Sequence, residues 1–158
     1  QLKHLIHEMN ISLKQDEKNI MMDGSAPVKR KPVNFYLMLR EGNVEAVRSI
    51  LDDGQDPNVT TPDGATPLMA AAVHDHPDIA ALLLERGVKT DAQDNRGYSA
   101  LMIAASRGHV AVARILIAHG ADVFLHDKDG FTALMWAKKN GHQEIAELLK
   151  ERMDEGFS

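Results

Sequence analysis

The segment Asp63-Gly64-Ala65-Thr66-Pro67-Leu68-Met69 returns as Arg96-Gly97-Tyr98-Ser99-Ala100-Leu101-Met102, and again as Asp129-Gly130-Phe131-Thr132-Ala133-Leu134-Met135. The spacing is 33 residues both times, and it also relates His76, His109 and His142, the glycines Gly54, Gly87 and Gly120, and the aliphatic pairs Leu82-Leu83, Ile115-Leu116 and Leu148-Leu149. A fixed period of this length restricts the chain to an array in which every unit is one small supersecondary motif. Such a motif is unable to bury its apolar face alone, so it must stack on its neighbours.

The unit starting at Asp63 can be read from its residues. Gly64 supplies a turn that tolerates positive φ, Thr66 is placed to cap a helix, and Pro67 sits at the first helical position, where its missing N–H is no loss. Ala70, Ala71 and Ala72 favour helix and allow close helix approach. After a break at Asp75-His76, Pro77 opens a second helix whose Ile79, Leu82 and Leu83 recur at helical spacing up to the Gly87 stop. Each unit is therefore a turn followed by two short antiparallel helices, and the fold class is all-α. Composition agrees: 44% of residues are hydrophobic and 26% charged, well away from a disordered profile, while only 4% are aromatic.

These residues resemble the ankyrin repeat family, whose pattern is a glycine turn, a T-P-L-H-like helix start, paired alanines, a G-H break, an L-L pair and a closing G-A-D. The resemblance runs from Val33 to about Glu151 and implies a solenoid of about four helix-turn-helix units with hairpin-like loops. The expected organisation is an N-terminal helical segment and linker over 1–32, then a repeat domain over 33–158 with units 33–62, 63–95, 96–128 and 129–153. The first unit is degenerate, with Asn34-Phe35-Tyr36-Leu37 at the helix start, and is expected to act as a cap. In the last unit Lys138 and Lys150 stand where alanine and a third aliphatic would be, as expected of a terminal unit facing water. Met69, Met102 and Met135 replace the family's histidine, which predicts thioether packing and a softer junction between units.

Leu2, Leu5, Ile6, Met9 and Leu13 fall on one helical stripe, so the N-terminal segment is expected to form a helix covering the first unit. Lys29-Arg30-Lys31 reads as a solvated linker. No apolar run approaches the ~20 residues needed to span a bilayer. With no cysteine, disulfides and thiol chemistry are excluded, and the net charge of -5 argues against broad capture of nucleic acid. The cytoplasm is the favoured compartment, with periplasm or secretion following if a leader preceded Gln1.

The stretch Val73-His74-Asp75-His76-Pro77-Asp78 looks like a set of metal ligands or a base with its orienting acid. His76, however, belongs to the periodic set with His109 and His142, which predicts that its ring bonds backbone groups of the turn. Successive stacked positions lie about 10 Å apart, too far to share an ion held at ~2 Å. His4 and His7 are spaced for weak metal binding but are expected to be solvated. No nucleophile elbow, phosphate-binding Gly-Lys-Ser/Thr loop or H-E-x-x-H motif occurs. No cofactor is expected, and a metal or hydrolytic centre at His74 and His76 is the alternative reading, alongside a self-associating structural protein.

The family resemblance implies a non-catalytic module that binds another protein through a concave face of turn tips and first-helix ends, as adaptor or inhibitor, from a chain monomeric on its own. Carried over by repeat position, the candidate contacts are Arg40, His74, Arg96, Tyr98, Arg107, His126, Lys128, Phe131 and Lys139. The centre is expected at Tyr98 and Phe131 with Arg96 and Arg107, residue types that often dominate interface energy. Trp136 is expected to be core.

Overall fold

Each unit begins with a side chain that accepts an orphan amide of the first helical turn, the position at which Ser, Thr and Asn are most effective. The computed structural model describes residues 34–156. In it Thr66 accepts from the Met69 amide at 3.2 Å, Ser99 from Met102 at 3.2 Å and Thr132 from Met135 at 3.3 Å. The degenerate first unit solves the same problem with Asn34, which accepts from Leu37 at 2.9 Å. The helices so started are α1 (Phe35–Glu41), α3 (Pro67–Val73), α5 (Ala100–Arg107) and α7 (Ala133–Lys139). Each returns as α2 (Val44–Asp52), α4 (Pro77–Glu85), α6 (Val110–Ala118) and α8 (Gln143–Glu155).

First helices pack on first helices and second on second, so the described residues form an all-α solenoid of two helical layers. The core lies between the layers. Ile79 and Leu83 in α4, Val112 and Leu116 in α6, and Ile145 and Leu149 in α8 are fully buried, facing Leu68, Ala71, Ala72, Leu101, Ala104 and Ala105 of the first layer. Alanine at the facing positions keeps the layers close. Met69 and Met102 fill this core at 2% exposure, but Met135, at the same repeat position in the last described unit, is 49% exposed. The N-terminal expectations, including the helix through Leu2 and Leu13, His4, His7 and Lys29-Arg30-Lys31, lie outside the described residues. Among the described residues no helix is long and apolar enough to cross a membrane.

Bonds at both ends of the first helices join successive units, besides the loop bonds from Lys89 to Asn58 and Asp122 to Asp91 and the Arg86–Asp52 and Arg114–Glu144 ion pairs. At the turns, the Asn95 amide donates to the Asp63 carbonyl at 2.9 Å, and one repeat later the Lys128 amide donates to Arg96 at 3.1 Å. Side chains reinforce them: the Asn95 amide group donates to the Pro62 carbonyl, and Gln93 donates to the His126 carbonyl. The backbones approach so closely that a Cβ on Gly97 would lie 2.9 Å from the Asp127 Cα.

At the other end of the first helices the periodic histidines make the joint. Their expected partners were groups of their own turn, whereas each ring reaches the preceding unit. His76 Nε2 donates to the Arg40 carbonyl at 2.7 Å, His109 Nδ1 to Ala72 at 2.8 Å, and His142 Nε2 to Ser106 at 3.0 Å. The acceptors are last-turn carbonyls that have no partner within their own helix. The change of ring nitrogen has a local cause. In the first and third joints the ring lies against a glycine, where a Cβ on Gly42 or Gly108 would come within 2.6 Å of it. Asp75 holds that position in the second unit with φ 57, the non-glycine residue of positive φ among those described. Its Cβ occupies the place of the ring, and His109 turns to a carbonyl one residue earlier.

Asp75→Gly tests this directly. Relief of the left-handed conformation is worth ~1–2 kcal/mol and is offset by ~0.4–1 kcal/mol of added unfolded-state entropy. A net gain of about 0.5–1 kcal/mol in urea unfolding is expected, together with a switch of the His109 tautomer to Nε2–H in nitrogen-edited NMR. A loss of stability with an unchanged tautomer would contradict the assignment.

Candidate functional site: a cation-rimmed aromatic cleft across three units

The turns that carry the candidate tips are organised by one residue each. Asp94 Oδ1 accepts the amides of Arg96 at 2.9 Å and Tyr98 at 3.0 Å, and Asp127 Oδ1 accepts those of Asp129 at 3.0 Å and Phe131 at 2.9 Å. At the turn that opens the second unit, Thr61 Oγ1 accepts one amide, that of Ala65, at 3.1 Å. Asp127 is only 2% exposed, and its second oxygen accepts from the Trp136 indole at 2.9 Å, so its carboxylate is satisfied on both sides. Among the described residues no buried side-chain polar atom lacks a partner.

These turns bring three rings together. Trp136 meets Tyr98 edge to face, with centroids 5.9 Å apart and planes at 89°, and lies 5.1 Å from Phe131. Cations sit on the cluster: the Arg96 guanidinium is 4.8 Å from the Tyr98 centroid, and Lys139 Nζ is 5.3 Å from both Phe131 and Trp136. Aromatic pairs and stacked cations each contribute about 0.5–1.5 kcal/mol beyond area burial. Their greater effect here is to hold long side chains in place.

Beside the rings opens a cleft of about 230 Å³. Met102, Ile103 and Val73 give it an apolar floor, Tyr98 and Trp136 a wall, and Arg96, Ser106 and Arg107 a polar rim. The candidates Arg96, Tyr98 and Arg107 thus converge, and Phe131 and Lys139 join them through Trp136. Arg40 and His74 lie at the exposed ends of α1 and α3. His126 and Lys128 are exposed on the last turn outside the cleft, with His126 Nδ1 held by the Asp127 carbonyl at 3.0 Å.

Trp136 corrects the sequence reading, which placed it in the core. Its counterparts Ala70 and Ile103 are half-buried as well, because this helix position faces the turn side rather than the second layer. The missed signal was spacing: Trp136 is three residues before Lys139, on the same helical face as a residue already assigned to the exposed surface. Met102 and Ile103, which form the floor, carried no signal separating them from core.

The apparent cluster at His74 and His76 comes apart. Their rings are 6.3 Å apart, and the Nε2 of His76 is committed to the Arg40 carbonyl. Among the described residues no three His, Asp or Glu side chains are grouped to hold a metal ion. Partial burial lowers the His74 pKa from the ordinary histidine range, and the neighbouring His76, Arg40, Arg107 and His109 push it the same way. The end of α3 therefore sits in a positive field.

The family model for ankyrin repeats (3 copies) matches residues 35–127 and 79–156, and the chain belongs to the ankyrin repeat family. Ankyrin repeats generally mediate protein–protein interaction, and proteins of the family are typically non-catalytic. The chain is similar to the mouse ankyrin repeat and SAM domain-containing protein 6, with 44% identity over 42% of this chain and 8% of that protein. It is 33% identical to an ankyrin repeat-containing protein of Schizosaccharomyces pombe, over 40% of this chain and 31% of the relative. Rat cortactin-binding protein 2 is 32% identical over 50% of this chain and 5% of its own length. The chain thus spans less than a third of each of these relatives.

Because neutral His74 is favoured in the folded state, its contribution is fully present above the ordinary histidine pKa and is lost as pH falls through the lowered one. In an NMR titration His74 is expected to protonate below the ordinary range and to move part of the way back in Arg107→Ala, burial being the larger cause. A midpoint at or above the ordinary range would contradict the described environment.

Proposed function

We propose that this chain is a non-catalytic protein-binding module that holds a partner protein against the concave face of its stack, acting as an adaptor or inhibitor. The binding unit is the repeat domain, 33–158, with units 33–62, 63–95, 96–128 and 129–153. The observation that supports this reading most is the convergence of Arg96, Tyr98, Arg107 and Trp136 from two successive units around one cleft. Aromatic side chains packed on one another, as Tyr98 and Trp136 are, lose little freedom on binding, and aromatic and arginine side chains are the types that carry most of an interface's energy. The remaining candidates, Arg40, His74, His126, Lys128, Phe131 and Lys139, extend the surface along the stack. Rat cortactin-binding protein 2 bears the name of a protein-binding function, which fits the same class without indicating this chain's partner.

Tyr98→Ala combined with Arg107→Ala is the test. Hot-spot truncations cost ~2 kcal/mol or more, about thirtyfold in affinity. Capture of the partner from the native source should fall by at least that factor, while Glu85→Ala on α4 leaves it unchanged and both variants keep the helical circular dichroism of the parent. Undiminished capture by the double variant would remove the concave face from the account.

A further inference from the structure

The cleft also carries information about what it would accept. Its floor and wall are apolar, so an entering group has to present hydrocarbon or an aromatic face to Val73, Ile103 and Trp136. Its rim is cationic. Arg107 is exposed at the end of α5 and takes part in no ion pair or side-chain hydrogen bond among the described residues. Arg96 has one carboxylate near it, Asp94 at 3.7 Å, but that side chain is 6% exposed and its Oδ1 already accepts two turn amides. The Arg96 guanidinium lies over Tyr98, 4.8 Å from the ring centroid. Lys139 adds a third cation above the rings, and Ser106, whose hydroxyl oxygen accepts from Asn140 at 3.0 Å, keeps its own proton to donate.

This concentration of positive charge occurs on a chain whose net charge is -5, so it is a local feature rather than the average of the surface. On the neighbouring unit Arg107 and Arg40 also help to lower the His74 pKa, burial being the larger cause. A guanidinium stacked on a ring presents its edge donors in a plane that suits a carboxylate, and the two arginines flank a cleft able to seat one such group beside an apolar side chain. Phosphate-backbone binding fits less well. It calls for a stripe of Lys and Arg tracking successive phosphates, and here the cations surround a single apolar depression.

We infer that the Arg96–Arg107 cleft is a docking site for an acidic peptide segment of the partner, seating an aliphatic anchor on Val73, Ile103 and Trp136 while an adjacent carboxylate bridges Arg96 and Arg107. This rests on the concave-face reading above and adds the chemical class of the ligand. Specificity comes from the pairing: the anchor alone leaves two arginines unmatched, and the carboxylate alone leaves the floor wet.

Trp136 is the chain's single tryptophan, so its fluorescence reports the cleft without labelling. The probes are four decapeptides: one with a central Leu flanked by Glu, the same with Gln for Glu, the same with Lys for Glu, and the acidic one with Gly for Leu. An oligouridylate of equal charge is the fifth. Titrated into the intact chain, the acidic Leu peptide should change Trp136 emission saturably, with the Gln and Gly versions at least about tenfold weaker and the Lys version and the oligouridylate inactive. Arg107→Ala should weaken the acidic peptide about tenfold, and Arg107→Glu should shift the preference to the Lys peptide.

Equal binding of the Glu and Gln peptides, no saturable signal from any peptide, or binding of the oligouridylate as tight as the acidic peptide overturns the inference. Should that happen while Tyr98→Ala with Arg107→Ala still loses the native partner, the ligand class falls and the concave face stands. If the double variant retains the partner, the concave-face reading falls as well.

Discussion

The close approach of successive turns is the constraint on which the rest of the structure depends. Where Gly97 passes over Asp127 the two backbones come near enough that no side chain fits between them, and the Lys128 amide reaches the Arg96 carbonyl at 3.1 Å. That contact fixes the register of one unit against the next. With the register fixed, Asp127 organises the following turn and holds Trp136 by its indole, Trp136 meets the edge of Tyr98, and the Arg96 guanidinium is supported over that ring. The cleft is therefore a property of the junction: its wall takes Tyr98 from one unit and Trp136 from the next, and neither alone would form it.

The histidines pin the opposite ends of the same helices. A helix of seven or eight residues is marginal by its own propensity, so anchoring at both ends matters more here than in a long helix. At the start, a Thr or Ser accepts an orphan amide. At the finish, the next unit's histidine donates to an orphan carbonyl. Each short helix is completed partly by its neighbour, and the stack behaves as a chain of nearest-neighbour interfaces. The one irregular joint, at Asp75, shows how tightly that geometry is drawn: a single Cβ is enough to change the ring nitrogen that His109 uses.

Much of the fold was legible in the sequence because periodic residues do periodic work. The Thr66, Ser99 and Thr132 caps, the Pro67 start and the buried aliphatic pairs follow from local chemistry and a spacing of 33. What local chemistry does not carry is the neighbour. His76 signals a structural role by its recurrence, yet its acceptor, Arg40, lies 36 residues away in the chain. Met69, Met102 and Met135 hold the same repeat position and differ in exposure because a further described unit packs over only the first two. Trp136 reads as core for a related reason: it holds the repeat position of Ala70 and Ile103, taken as inward, but its ring meets Tyr98 of the preceding unit. Arg96, Tyr98 and Arg107 were accessible to repeat-position reasoning, and the cleft between them was not.

The central claim is that backbone contact between turns, rather than the turn conformation of each unit by itself, holds the stack in register. Gly97 and Gly130 occupy equivalent positions with φ of 85° and 84°, but a Cβ would collide with Asp127 at Gly97 and would meet nothing within 4 Å at Gly130. Comparing the unfolding free energies of Gly97→Ala and Gly130→Ala cancels the shared cost of the left-handed conformation and leaves the contact. The account predicts that Gly97→Ala is more destabilised than Gly130→Ala by about 1–3 kcal/mol, the scale of overpacking in a closely fitted site. Equal losses in the two variants would contradict it.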